Sequence, residues 1–152
     1  MKLVLDSSAI VKFFLQESLS DKARALLVAI GEGAHEAHIP SLACYEVLGV
    51  LSQHLATQDE IGRYLSSLYN LIDSNAIRMH LVKQRLLNKA AEIACTDTHG
   101  QGHISSYDAT FHALALPIDA TLITNDKSHY RKTRDSIGQI VLLDNMKLGT
   151  VH

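Results

Sequence analysis

Lys2-Leu3-Val4-Leu5-Asp6-Ser7-Ser8-Ala9-Ile10-Val11 opens the chain and decides its fold. An apolar run of strand length stops at a carboxylate, and two hydroxyl residues then lead into a segment with helical spacing. The pattern repeats along the chain. Residues 35–39 read as a second strand, and Pro40-Ser41 opens a helix that carries Glu46. Thr57 and Glu60 form a capping-box pattern ahead of Ile61, Tyr64, Leu65, Leu68 and Ile72, so these two helices read as a hairpin. Residues 77–82 alternate as a strand, 84–94 continue as a helix, and 96–103 form a loop with Gly100 and Gly102. A helix over 107–116, a turn at Pro117, a strand over 121–124, a short polar helix or loop and a last strand over 139–143 complete the chain. Strands alternating with helices predict an α/β fold, a central mostly parallel β-sheet flanked by α-helices, in one domain over residues 1–152.

In such sheets ligands gather beyond the carboxyl ends of the strands, and four acids mark that rim. Asp6 closes the first strand, and Asp126 follows the strand 121–124. Glu46 is the only charged residue between His38 and Gln58, and Asp108 opens the helix of 107–116. Each has an ordinary alternative. Asp6 and Asp126 suit turns or caps, Ser105-x-x-Asp108 resembles a capping box at a helix start that favours acids, and Glu46 reads as an exposed helical acid or as a buried one on a nearly all-apolar helix. An ionised carboxylate among apolar neighbours costs several kcal/mol unless a cation or donors compensate it, and no Lys or Arg lies near Glu46 in sequence. Four acids converging on one rim suggest a pocket for a divalent cation.

The formal net charge is -2, which argues against a broad basic surface gripping nucleic acid. One compact basic cluster, Lys127, His129, Arg131, Lys132 and Arg134, follows Asp126 and reads either as a local contact site or as a solvated helix face. Cys44 and Cys95 both fall in helix-like segments without the pairing of a zinc or redox motif, so reduced core thiols in a reducing cytoplasm are expected. No apolar run approaches the ~20 residues of a membrane span. His99 and His103 flank Gly100 and Gly102 in a loop and make a poor zinc pair. Neither a phosphate-binding glycine loop nor a nucleophile elbow is present. A dehalogenase-type phosphatase would need a second Asp where Ser8 stands.

Val4-Leu5-Asp6-Ser7-Ser8-Ala9, Pro40-Ser41-Leu42-x-x-x-Glu46-Val47, Ser106-Tyr107-Asp108-Ala109 with Ala113-Leu114-Ala115, and Leu122-Ile123-Thr124-Asn125-Asp126 follow one another along the chain. In that order and spacing they resemble the PIN domain family, and within it the VapC-type toxin ribonucleases of toxin–antitoxin pairs. The likeness runs from Leu3 to about Leu143. It implies a PIN-like fold and a metal-dependent endoribonuclease in which Asp6, Asp108 and Asp126 hold Mg²⁺ or Mn²⁺. Glu46 would be a ligand or the base that orients water, and Ser7 and Thr124 the supporting hydroxyls. It further implies an RNA substrate, held partly by Lys127, Arg131 and Lys132, a small VapB-like antitoxin as partner, and a homodimer. For the dimer, the apolar hairpin around Leu48, Leu51, Tyr64 and Leu68 is the expected face. Two other readings stand beside this one: a PIN nuclease of RNA processing or DNA repair without a toxin role, and a non-catalytic nucleic-acid-binding PIN module. The chain departs from the family at Leu116-Pro117-Ile118-Asp119, where an acidic, Gly-ended continuation is usual, and Pro117 should end the helix early.

Overall fold

The structure, a computed structural model, describes residues 1–148. Strand β1, Lys2–Leu5, lies at the centre of a five-stranded sheet with β2 Glu36–Pro40, β3 Ile77–His80, β4 Thr121–Thr124 and β5 Ile140–Leu142, in the order β3-β2-β1-β4-β5. Every pairing is parallel, so the expected mostly parallel sheet is parallel throughout. Leu3, Val4 and Leu5 point to alternate faces, yet each is fully buried, because helices cover the sheet on both sides.

The helices are α1 Ser7–Ile10, α2 Ser20–Gly31, α3 Leu42–His54, α4 Gln58–Asp73, α5 Gln84–Ala94, α6 Ser106–Ala115 and α7 Lys127–Thr133. Thr57 caps α4 by accepting from the Glu60 N–H at 3.2 Å, and Ser105 caps α6 by accepting from the Asp108 N–H at 3.1 Å. Helix α6 stops at Ala115 ahead of Pro117, and Asp119 takes a left-handed φ of 54° as Ala120 turns back to donate to the Ala115 carbonyl at 2.9 Å. Strand β3 ends earlier than its alternating sequence suggests, because the Val82 N–H is taken by Ser41 Oγ at 3.2 Å rather than by a neighbouring strand. The helix after Asp6 is also shorter than its spacing implies and tightens into a 3₁₀ turn over Val11–Phe13.

Two expectations are corrected. In the α3–α4 hairpin, Leu51 and Leu68 are fully buried and Tyr64 packs against Phe14 with ring centroids 5.6 Å apart, which leaves only Leu48 of the four expected interface residues exposed. The large apolar or aromatic side chains that the hairpin leaves exposed are Tyr45 and Leu48 on α3 and Tyr69 on α4. Cys44 is a buried free thiol as expected, whereas Cys95 is exposed, since it lies just past the end of α5. No helix among the described residues is long and apolar enough to cross a membrane.

The β1–β4 register, Leu5 opposite Ile123, continues one residue beyond β1, where the Asp6 N–H donates to the Ile123 carbonyl at 3.0 Å. The central ladder thereby delivers Asp6 to the side of Thr124. Leu5→Ala, which opens a cavity under this ladder, should lower the free energy of unfolding by about 2–5 kcal/mol, read from urea denaturation with an unchanged slope.

Candidate active site

Asp6 is 5% exposed and carries a carboxylate with no Lys or Arg within ion-pair distance among the described residues. Hydroxyls meet it instead. Thr124 Oγ1 donates to Asp6 Oδ2 at 2.6 Å, Ser8 Oγ donates to the same oxygen at 3.0 Å, and Ser7 Oγ lies 3.3 Å from Oδ1. These are the donors a buried carboxylate requires. Thr124 and Ser8 are themselves oriented by backbone, since Thr124 Oγ1 accepts from the Asp126 N–H at 3.0 Å and Ser8 Oγ from the Asn125 N–H at 2.9 Å. The turn after β4 thus locks the hydroxyls that hold the end of β1.

Ser7 ties in the second acid. Its Oγ lies 3.0 Å from Glu46 Oε2 on α3 as well as 3.3 Å from Asp6, and one hydroxyl hydrogen cannot serve two carboxylates. Both contacts are hydrogen bonds when Ser7 donates to Asp6 and a protonated Glu46 donates to Ser7. Burial pushes the Glu46 carboxyl up to about 7, with Asp6 and Asp108 adding repulsion, and only a Ser7 hydroxyl turned to donate to Glu46 opposes the rise. Its other oxygen, Oε1, is buried without a partner. Asp108, half-buried in the first turn of α6, is pushed up to about 6 by burial and then by Asp6, with Asp126 adding to the rise and Ser105 and Lys132 opposing it. Ser105 Oγ also accepts from the Asp108 N–H at 3.1 Å, so Asp108 stands at a capped helix start while its carboxyl feels the other acids.

Asp126 serves as the cap of α7, its Oδ1 accepting from the Ser128 N–H at 2.7 Å and the His129 N–H at 3.1 Å. Asp6, Glu46, Asp108 and Asp126 therefore feel one another's charge from the end of β1, α3, α6 and the β4–α7 turn, with Ser7 between Asp6 and Glu46 and Thr124 between Asp6 and the Asp126 N–H. The four are coupled by charge and shared hydroxyls rather than packed together: among the described residues, no three His, Cys, Asp or Glu side chains are grouped tightly enough to hold one ion as they stand. The oxygen-only donor set and the orphaned Glu46 Oε1 nonetheless fit a hard divalent cation.

Of the basic cluster, Lys127 and Arg131 are exposed on α7, while half-buried Lys132 donates to the His103 carbonyl at 2.6 Å. Arg134 lies over the Tyr130 ring, 5.6 Å from its centroid. His129 does not belong to that surface. It is 1% exposed, and burial lowers its pKa. His112 Nε2 lies 2.7 Å from the Gly138 carbonyl, which can only accept, so Nε2 carries the hydrogen. In the neutral ring Nδ1 then accepts from His129 Nε2 at 3.2 Å, leaving His129 Nδ1 a buried acceptor without a partner. This histidine pair and Ser8 are the neighbours of the acids that the sequence reading did not place there. Ser8 could have been found as the third member of Asp6-Ser7-Ser8; nothing local announces that His112 and His129 meet.

The raised Glu46 pKa has a definite sign for stability. Its folded value, about 7, lies above the ordinary 4.5, so its contribution is fully present below about 4.5 and is lost as pH rises through 7. His112, pushed down by burial to about 4 from 6.5, acts the opposite way between those values. The comparison of wild type with Glu46→Gln cancels the histidine effect. In EDTA the variant should gain about 1–2 kcal/mol relative to wild type between pH 5 and pH 8, the full shift being discounted for solvent screening at this half-buried group. Denaturant titrations at both pH values would read this, and a constant difference would show that Glu46 is not under strain.

The family model described as PIN domain matches residues 3–135. Ribonuclease VapC3 from Pyrobaculum aerophilum is 34% identical over 131 residues, which cover 84% of this chain and 91% of that protein. Among solved structures, VapC20 of Mycobacterium tuberculosis, a sarcin-ricin loop cleaving toxin, is similar with a TM-score of 0.66 at 16% identity, over 84% of this chain and 92% of that one. A toxin–antitoxin complex from Klebsiella pneumoniae gives a TM-score of 0.64 at 13% identity, over 93% of this chain and 97% of that one. The two structural likenesses carry the fold alone, while the family match and the relative at 34% identity agree on its lineage. The chain belongs to the PIN domain family, among its VapC-type proteins.

Proposed function

We propose that this protein is a metal-dependent endoribonuclease, the toxin of a toxin–antitoxin pair acting in a reducing cytoplasm. The observation that carries this reading is the electrostatic coupling of four carboxylates from four separate parts of the fold at the carboxyl rim of the sheet, two of them pushed up to about 7 and about 6. Such perturbation of converging acids is the mark of a working site more often than of a structural one. The Pyrobaculum aerophilum relative, a ribonuclease by name, supports RNA as the substrate.

Asp6, Asp108 and Asp126 would hold Mg²⁺ or Mn²⁺, with Glu46 as a ligand or as the base. A divalent ion bound there neutralises charge developing on the phosphate oxygens and makes water acidic enough to attack at neutral pH. The rest of the work falls to side chains. Ser7, Ser8 and Thr124 fix the Asp6 carboxylate in one orientation, and Asp126 is held by the first turn of α7. Glu46, titrating near neutrality, is suited to take the proton that water loses as its oxygen bonds to phosphorus and the bond from phosphorus to the leaving oxygen breaks. Lys127 and Arg131, exposed beside this rim, are placed to hold the RNA backbone, and Lys132 joins them if it leaves the His103 carbonyl.

A small antitoxin and a homodimer complete the proposal. The antitoxin is supported by the shared fold of the Klebsiella pneumoniae toxin–antitoxin complex. A cationic side chain from it could enter the pocket, where charge-assisted hydrogen bonds would satisfy the acids. The dimer rests on family likeness, since the hairpin expected to form it is mostly buried.

The decisive assay is incubation of the purified protein with total RNA in Mg²⁺, Mn²⁺ or EDTA. Cleavage should require the metal, and Asp6→Asn and Asp108→Asn should each lose orders of magnitude of activity while keeping a cooperative melt. Asp126→Asn should be milder if that residue binds only through water. An Asp6→Asn protein within about threefold of wild type would remove Asp6 from the site. Light scattering that returns a monomer at micromolar concentration would remove the dimer.

A further inference from the structure

We propose that Tyr45 and Tyr107 form a stacking clamp at the mouth of the acidic pocket, seating one unpaired RNA base beside the cleaved phosphate. The inference rests on the ribonuclease reading above and names the two residues that would seat a base beside the cleaved phosphate. Both rings are largely in solvent, Tyr45 at 75% and Tyr107 at 58% exposure. Neither belongs to the hydrophobic core or packs against it. Each immediately precedes a pocket acid, Tyr45 before Glu46 on α3 and Tyr107 before Asp108 on α6. Successive helical residues diverge by about 100° around the axis, so where the acid turns inward its neighbour stands at the rim. The two rings also share one cleft of about 240 Å³, closed by Leu42, Val82 and Leu87.

The size and chemistry of this cleft select the occupant. It is smaller than the 300–1,000 Å³ typical of pockets for drug-sized ligands, and it suits a single flat ring system. Of its hydroxyls, Ser41 Oγ accepts from the Val82 N–H at 3.2 Å and Thr110 Oγ1 donates to the Ser106 carbonyl at 2.7 Å. The two rings with Leu42, Val82 and Leu87 supply the faces on which a base stacks, and the phenol hydroxyls lie at their edges. A polynucleotide with one phosphate at the acids must lay its adjoining nucleotide over residues next to them, and those are the two tyrosines. Only an unstacked, unpaired base can present its face in this way.

The test is steady-state cleavage of a short single-stranded RNA by wild type, Tyr45→Ala, Tyr107→Ala and the corresponding Phe variants in Mg²⁺. It is repeated with an abasic site placed beside the cleaved bond. The Ala variants should raise KM about five- to a hundredfold with kcat within about threefold, and the Phe variants should restore it. The abasic substrate should cost wild type a similar factor and the Ala variants little more, because both changes remove the same contact. Ala variants with KM within twofold of wild type would overturn the clamp and leave the nuclease standing. So would a dimer in light scattering that Tyr107→Ala splits and Phe restores while wild type ignores the abasic site, which would assign the rings to contact between copies. No cleavage by wild type in any metal would overturn the ribonuclease reading itself.

Discussion

A carboxylate buried at the end of the central strand is the constraint around which the rest of the molecule is arranged. Asp6 cannot keep its charge in an apolar interior without donors, and no Lys or Arg within ion-pair distance supplies them among the described residues. The fold meets the need with three hydroxyls drawn from two elements, Ser7 and Ser8 on α1 and Thr124 at the end of β4. Only a parallel β1–β4 pair in the observed register puts Thr124 beside Asp6. The connection between those strands must be a long crossover, and that crossover brings α3 with Glu46 and α6 with Asp108 to the same rim. Topology and site are therefore one problem with one solution.

Much of this could be read from the chain, for identifiable reasons. Buried parallel strands carry continuous apolar stretches, so Leu3-Val4-Leu5 and Leu122-Ile123 mark 2–5 and 121–124, and strand ends alone place Asp6 and Asp126 just past them. Caps at Thr57 and Ser105 were legible because their partners lie three residues away. What escaped the reading depends on contacts far apart in sequence. Periodicity made Leu51 and Leu68 apolar without saying that each faces the other helix's core side rather than solvent. His129 looked like one member of a basic run, and only the approach of α6 to α7 makes it a buried neutral ring bonded to His112. Cys95 lies one residue beyond a helix whose end was not marked by glycine or proline, so the sequence did not announce its exposure.

The acids and the histidines pull stability in opposite directions. Glu46 and Asp108, both pushed up, oppose folding increasingly as pH rises toward neutrality, whereas His112 and His129, both pushed down, oppose it as pH falls. Between them β1 keeps an apolar interior, with Leu3, Val4 and Leu5 all fully buried and the first acid coming only at Asp6.

Ser7 gives that rim a further property. With a single hydrogen between Asp6 and Glu46, it bonds both only while Glu46 keeps a proton. A cation bound by these carboxylates needs them ionised, so binding the ion and releasing the Glu46 proton are linked. Burial raises the Glu46 carboxyl and so opposes that release, which makes a cation compete with protons at acid pH more than at neutral pH. On the proposed reading, the proton that relieves the metal-free pocket has to leave before an ion binds, and Glu46, freed of it, is available as a ligand or as the base.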